Sequence, residues 1–350
     1  MALVGIDHPH GSGWRDLLTN LDDRIEIAAI VPRFGGRTTS LEERYAVVPR
    51  YDTVDDLIAS AKFDGALVTL PNNESPQAAA ALAQAGKHIL LEKPGAADAA
   101  AAERIAAAVG DTGVAFQAGY MWRYDEAANR LRNMVRDGRF GKLVSVEMTF
   151  VTSDTRRRDP SHYLFDRDVS GGGFFNWLAC HYLDLLMYVT GEAIVGVTAR
   201  TGVFAGEAID VEDGGVAILD LAGGGIATFI GGYWIPRWTG EAHWCIRGTE
   251  RWVHWDPNVP GTGGVLDVHG PKPQWYATEE RFSVAEDTTT GYGGASGVRL
   301  VEDWLDAAAA GRECRNTAVS SVSVLRLIGA IEQSSAEGRR VDCQIGQGGD

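Results

Sequence analysis

Two side chains of the types that move protons near neutral pH stand at pointed positions in this chain. Lys93 falls in the run Lys87-His88-Ile89-Leu90-Leu91-Glu92-Lys93-Pro94, just past an apolar stretch that reads as a buried strand. Ligands of open α/β sheets bind beyond the carboxyl ends of the strands, where Glu92 and Lys93 lie. Pro94 disfavours helix at Lys93 and keeps it extended. His181 follows the triple glycine Gly171-Gly172-Gly173, on an apolar stretch from about Phe174 to Thr190 that Gly191 stops. Trp177, His181, Asp184 and Tyr188 recur there at helical spacing and are expected to share one face. A desolvated lysine or a histidine can take the hydroxyl proton of an alcohol. The bland alternatives are a solvated surface lysine and a packed, hydrogen-bonded helix histidine.

The elements that must position these groups change character along the chain. Up to about residue 120, short apolar runs alternate with helical patterns, the grammar of a parallel sheet with crossover helices. Strands are expected at Leu3–Ile6, Ile25–Val31, Gly65–Leu70, His88–Leu91 and Val114–Ala118. Between them, helices are expected from Gly13 to Asn20, from Asp55 to Ser60, from a capping Ser75 with Pro76 to Gly86, and from Asp98 to Val109. An amphipathic helix over Asp125–Arg136 and a strand over Leu143–Val151 follow. From Ile194 to about Phe282, strand-like runs are separated by glycine-rich turns, which is antiparallel grammar. Helices over Gly297–Ala310 and Val322–Glu337 close the chain. The expected fold class is an α/β Rossmann-type doubly wound domain followed by an α+β domain with a large open, mainly antiparallel sheet. The expected division is 1–120, 121–345 and a flexible tail at 346–350.

A strand ending at Gly5 before a helix is where a dinucleotide's pyrophosphate would sit on exposed amides. The glycine pattern for that turn is GxGxxG, and only Gly5 is in register; Asp7 and His10 hold the other two places. A carboxylate at Asp7 repels a pyrophosphate unless His8, His10 or solvent offsets it. No acidic residue follows the second strand, where Ile30-Val31 runs into Pro32-Arg33; Arg33, with Arg37, would suit a ribose 2′-phosphate, and a solvated loop is the alternative. His8 and His10 are two imidazoles without a third ligand, so no metal is expected.

Six fragments in order make the chain resemble the Gfo/Idh/MocA (glucose–fructose oxidoreductase / inositol dehydrogenase) family, over nearly its whole length. They are Thr69-Leu70-Pro71-Asn72, the run from Ala85 through Glu92-Lys93-Pro94, Gly119 to Tyr124, the triple glycine with His181-Tyr182-Leu183-Asp184-Leu185, Glu212-Asp213, and Ser335 to Val341. The resemblance implies NAD or NADP as cofactor, held by Gly5, Asp7, His8, His10, Arg33, Thr69, Pro71, Asn72, Glu92 and Lys93. It implies Lys93 and His181 as catalytic residues and Trp122, Arg123, Asn176, Trp177 and His181 around the substrate. The family usually has an aspartate four residues before its histidine; this chain has Trp177 there, beside Asn176.

Ten tryptophans are many for 350 residues. Their faces suit sugar rings, so a carbohydrate-like substrate is expected, although sheet packing explains any one of them as well. Three functions stay open. One is an NAD(P)-dependent oxidoreductase acting on a secondary alcohol or ketone of a sugar, cyclitol or glycoside. Another is a glycoside-cleaving enzyme that uses bound NAD(H) in an oxidation–elimination–reduction cycle, and the third is a non-catalytic ligand sensor on the same fold. A formal charge of −15 argues against nucleic acid and anionic membranes. No run of about 18 apolar residues, no signal-peptide pattern and four scattered cysteines give the expectation of a cytoplasmic protein with reduced thiols. A large open sheet with one face needing cover gives the expectation of a homo-oligomer.

Overall fold

The computed structural model describes residues 1–32, 43–206, 208–270 and 278–346. Arg33 and Arg37 therefore lie outside the described residues, as does most of the expected tail. The chain divides into two compact units, one of Met1–Tyr124 with Thr288–Val322, the other of Asp125–Asp287 with Ser323–Asp350.

In the first unit, β1 (Ala2–Val4), β2 (Ala29–Val31), β3 (Gly65–Val68), β4 (His88–Leu91) and β5 (Phe116–Ala118) form one parallel sheet in the order β2-β1-β3-β4-β5. The order reverses direction at β1, which places a topological switch point beside its end. Helix boundaries follow local capping chemistry. Asp98 accepts from Ala101 N at the start of helix Ala99–Thr112, and Gly113 ends it in the left-handed conformation. Two local expectations fail. Residues 25–28 are not strand, because Ile25 N donates back to Leu21 O and so closes a turn. Ser75 is not a cap: it is already inside helix Ser75–Gln84, and its hydroxyl donates to Leu70 O.

A contiguous division at residue 120 also differs from what is observed, because residues 288–322 join the first unit. Helix Gly294–Ala310 buries Leu300, Val301 and Trp304 in one core with Leu3, Leu67 and Leu90 of the parallel strands. Without that helix the apolar side chains would face water. Gln117, buried in β5, adds a polar tie: its amide nitrogen donates to Leu300 O and to Tyr124 Oη.

In the second unit a nine-stranded sheet runs β13-β12-β11-β10-β6-β9-β8-β7-β14. Its strands are β6 (Leu143–Ser153), β7 (Ile194–Gly202), β8 (Gly214–Leu221), β9 (Ile226–Ile235), β10 (Gly240–Gly248), β11 (Trp252–Asp256), β12 (Val265–His269), β13 (Thr278–Ser283) and β14 (Val341–Ile345). All neighbours are antiparallel except β6 and β9. One face packs aromatic rings against the helix after the triple glycine, with Phe150 stacked on Tyr182 at 4.8 Å. The other face leaves Val216, Ile218, Ile226 and Ile230 exposed. Several tryptophans pack within this unit: Trp244 and Trp255 are buried against each other, and Trp252 stacks on His269.

Candidate active site

In the first unit the ends of β1, β3 and β4 are knitted together by the backbone. Gly5 N donates to Val31 O, Thr69 N to Val4 O and Glu92 N to Val68 O, while the Thr69 hydroxyl donates to Gly5 O. Gly5 has φ +81°, and a Cβ there would meet Thr69 O at 2.7 Å, so both the conformation and the space require glycine. Pro71 O accepts from Glu74 N and Ser75 N, which turns the chain into the next helix and leaves Asn72 partly exposed.

Glu92 is the electrostatic centre of this end. Its Oε2 accepts from Trp14 Nε1, its Oε1 lies 3.3 Å from His10 Nδ1, and Lys93 Nζ stands 3.9 Å from Oε1. Burial alone would raise its pKa, but the charges of His10, His8 and Lys93 and the His10 hydrogen bond outweigh it and hold the carboxyl well below the usual range. Lys93, joined to Pro94 by a cis peptide, is fully buried, not a solvated surface lysine. His8 Nδ1 accepts from His10 N, and the His10 ring stacks on Tyr292 at 4.1 Å. The histidines expected to offset Asp7 act on Glu92 as well.

Does this end fit a dinucleotide? Helix Gly11–Leu18 begins with no side-chain cap at His10; Gly11 N donates to His8 O and Trp14 N to His10 O, so the amides of Ser12 and Gly13 are the ones that face an anion's place at the helix start. The ionised Glu92 is compensated from within the protein and adds little repulsion. The residues present fit the group.

Trp122 is half-buried against the first core, and Arg123 is buried with Nη1 donating to Arg315 O. Arg315 Nη1 returns a bond to Arg123 O. Arg123 therefore has a bracing task in the first unit.

In the second unit, the segment after the triple glycine opens as a π turn over Phe175–Ala179 and becomes α-helix at Cys180–Thr190. Cys180 N bonds Phe175 O, five residues back. The wide turn brings Asn176, five residues before His181, closer to the register of that residue than α spacing would. The turn is anchored by Glu212, whose carboxylate accepts from Gly173 N at 2.9 Å and Phe175 N at 3.0 Å. Gly173 leaves no room for a Cβ, which would fall 2.0 Å from Glu212 O. Asn176 Nδ2 donates to Ser170 O. His181 and Asp184 are buried, and the Tyr188 hydroxyl donates to Asn129 Oδ1.

The structure gathers Gly5, His8, His10, Thr69, Glu92 and Lys93 in the first unit and Asn176, Trp177 and His181 in the second. Trp14 and Tyr292 escaped the sequence reading, which had Glu212 as part of a family fragment but without a role. Trp14 follows His10 at helical spacing, which is a usable signal; Tyr292 lies far along the chain and has none.

Residues 2–120 match the family model described as an oxidoreductase family with an NAD-binding Rossmann fold. Residues 128–254 match that of the GFO/IDH/MocA C-terminal domain, so the two matches together span more than half of the chain. The chain belongs to the GFO/IDH/MocA family. Its first unit carries the family's NAD-binding Rossmann fold. Inositol 2-dehydrogenase of Rhizobium meliloti (strain 1021) is 30% identical over 190 residues, 54% of this chain and 54% of that enzyme. The chain thus spans about half the length of that curated relative. Among solved structures, GenD2 from gentamicin A biosynthesis in complex with NAD is 27% identical, with a TM-score of 0.80 over 98% of this chain and 95% of that one. Levoglucosan dehydrogenase in complex with NADH and L-sorbose has a TM-score of 0.84 at 18% identity, covering 98% of each chain, and shares the GFO/IDH/MocA fold.

Proposed function

We propose that this chain is an NAD(P)-dependent oxidoreductase acting on a secondary alcohol or ketone of a sugar, cyclitol or glycoside, with Lys93 and His181 in proton transfer. The observation that carries the reading is the fully buried Lys93 amine beside an ionised Glu92, at the carboxyl end of β4 in a Rossmann sheet. When bound, the nicotinamide supplies the hydride acceptor. Lys93, in its neutral form, takes the hydroxyl proton in the oxidative direction and, as the ammonium, returns it in the reductive one, and His181 is the second proton-transfer group. Gly5, Asp7, His8, His10, Thr69, Pro71, Asn72, Glu92 and Lys93 line the cofactor's turn, while Trp122, Arg123, Asn176, Trp177 and His181 serve the substrate.

Names of relatives guide the substrate panel: myo-inositol and levoglucosan come first. Purified protein with NAD+ or NADP+ and the panel is expected to accumulate reduced cofactor, and Lys93→Met to lower kcat by about a hundredfold or more. Glycoside cleavage without net reduction would favour the oxidation–elimination–reduction cycle, to which Trp177 in the place of an aspartate points. Failure of NADH to shift the melting temperature would leave only a sensor role.

A second copy covering Val216, Ile218, Ile226 and Ile230 would satisfy the open sheet face, so light scattering is expected to show an oligomer. Four cysteines, none in a disulfide, suit a reducing compartment such as the cytoplasm, and no helix among the described residues is long and apolar enough to cross a membrane.

A further inference from the structure

The sequence offers His8 and His10 as two imidazoles short of a third ligand; folding supplies it. Glu92, from the end of β4, brings a carboxylate so close that one donor atom from each of the three residues lies within 4.8 Å of the others. We propose that His8, His10 and Glu92 form a binding site for a borderline divalent transition ion of the Zn2+ class.

Three features of the site favour metal. Two nitrogen donors and one carboxylate are the donor set of open zinc sites, with a fourth position left for water or an anion. Imidazole pairs select Zn2+ or Co2+ over Mg2+ and Ca2+, which want oxygen shells. The donors are also braced from outside. Trp14 Nε1 holds Glu92 Oε2 and so turns Oε1 toward His10, and Tyr292 fixes the plane of the His10 ring by stacking. The two histidine rings meet edge-on, with centroids 5.3 Å apart and planes at 66°, rather than stacking on each other.

Binding has a definite cost. His8 Nδ1 now accepts from His10 N at 3.1 Å, so the ring must release that contact, or turn over to present Nε2. His10 Nδ1 must likewise exchange its 3.3 Å contact with Glu92 for the ion. Side-chain rotations close the donors onto one centre, and three metal–ligand bonds replace two hydrogen bonds. These residues also line the turn assigned above to the cofactor, but the site stands on its own donors and needs no nucleotide.

The test uses the full chain, stripped with a chelator and then titrated with Co2+ alone. One equivalent is expected to bind and give visible ligand-field bands, and Zn2+ to displace it while Mg2+ does not. His8→Ala, His10→Ala and Glu92→Gln are each expected to weaken Co2+ binding roughly tenfold or more, whereas His243→Ala leaves it unchanged. Because a variant can fail to fold, the wild-type protein gives a second readout: Zn2+ is expected to protect His10 from diethyl pyrocarbonate, followed by peptide mass spectrometry. Absence of one tight equivalent, unchanged affinity in the folded variants, or no protection of His10 overturns the site. An NADH titration in the presence of chelator reports on the cofactor reading separately, so failure of one is not failure of the other.

Discussion

Glu92 and Glu212 are the same residue type, both nearly fully buried, one in each unit, and their carboxyls are shifted in opposite directions. At Glu212 burial dominates and raises the pKa; the backbone N–H groups of Phe175 and Gly173 and the more distant Arg167, at 3.9 Å, oppose it only in part. At Glu92 burial also raises, but His10, His8 and Lys93 overturn it. Amides can satisfy a carboxylate's geometry without neutralising its charge, whereas nearby cations do both. Glu92 thus belongs to a charged centre fit for chemistry, and Glu212 to a brace that holds a helix start in place.

The largest test of that contrast is at the brace. Gly173→Ala drives a Cβ into Glu212 O and is expected to cost about 3 kcal/mol or more in urea unfolding. Gly172→Ala meets the side-chain end of Asn176 first, at 3.0 Å, rather than backbone, and is expected to cost less. Equal effects would show that the Glu212 anchor is not what fixes the turn.

Next in size is the charged centre. Glu92→Gln removes the carboxylate that His10 and Trp14 share, and is expected to cost about 1–3 kcal/mol. Unchanged stability would mean that the surrounding groups find equivalent partners in water.

The pH dependence separates the two carboxyls by sign. A folded-state pKa below the unfolded one stabilises above the unfolded value, and the gain is lost as pH falls through the folded one, so Glu92 contributes a loss of stability on acidification. A folded-state pKa above the unfolded one stabilises below the unfolded value, and the gain is lost as pH rises through the folded one, so Glu212 contributes a loss on the alkaline side. Melting temperatures against pH, taken with chelator present, are expected to lose the acid-side slope in Glu92→Gln and the opposite slope in Glu212→Gln. Slopes of the same sign would break the comparison.

The smallest effect checks the burial argument by itself. At Cys314 the Arg312 charge offsets burial only in part, and the thiol is pushed up to about 12, first by burial and then by Asp303. Alkylation at neutral pH is expected to be slow in the native protein and fast after denaturation. Rapid native labelling would show that burial does not hold the thiol protonated there, and would weaken the same argument at Glu212.

Much of the scaffold was legible because its signals are local. An aspartate cap, a left-handed glycine or a strand-ending Glu-Lys-Pro acts through neighbours a few residues away, so Asp98, Asp125, Gly191 and Lys93 could be placed from the chain alone. The site's electrostatics were not legible. His10 and Glu92 are 82 positions apart, and their pairing exists only once β1 and β4 flank β3 in one sheet. The π turn likewise has no reliable sequence signal, since it depends on Glu212 arriving from a distant segment to take two amides.

The sequence by itself determined the order of the parallel strands and their crossover helices, though not each boundary, and the family, because short-range sterics and hydrophobic period carry that information. Tertiary structure alone decided that residues 288–322 complete the first core, that Lys93 is buried, and that Glu92 is held ionised between histidines. Those outcomes depend on desolvation and long-range charge, and neither is defined until the chain has folded around the group.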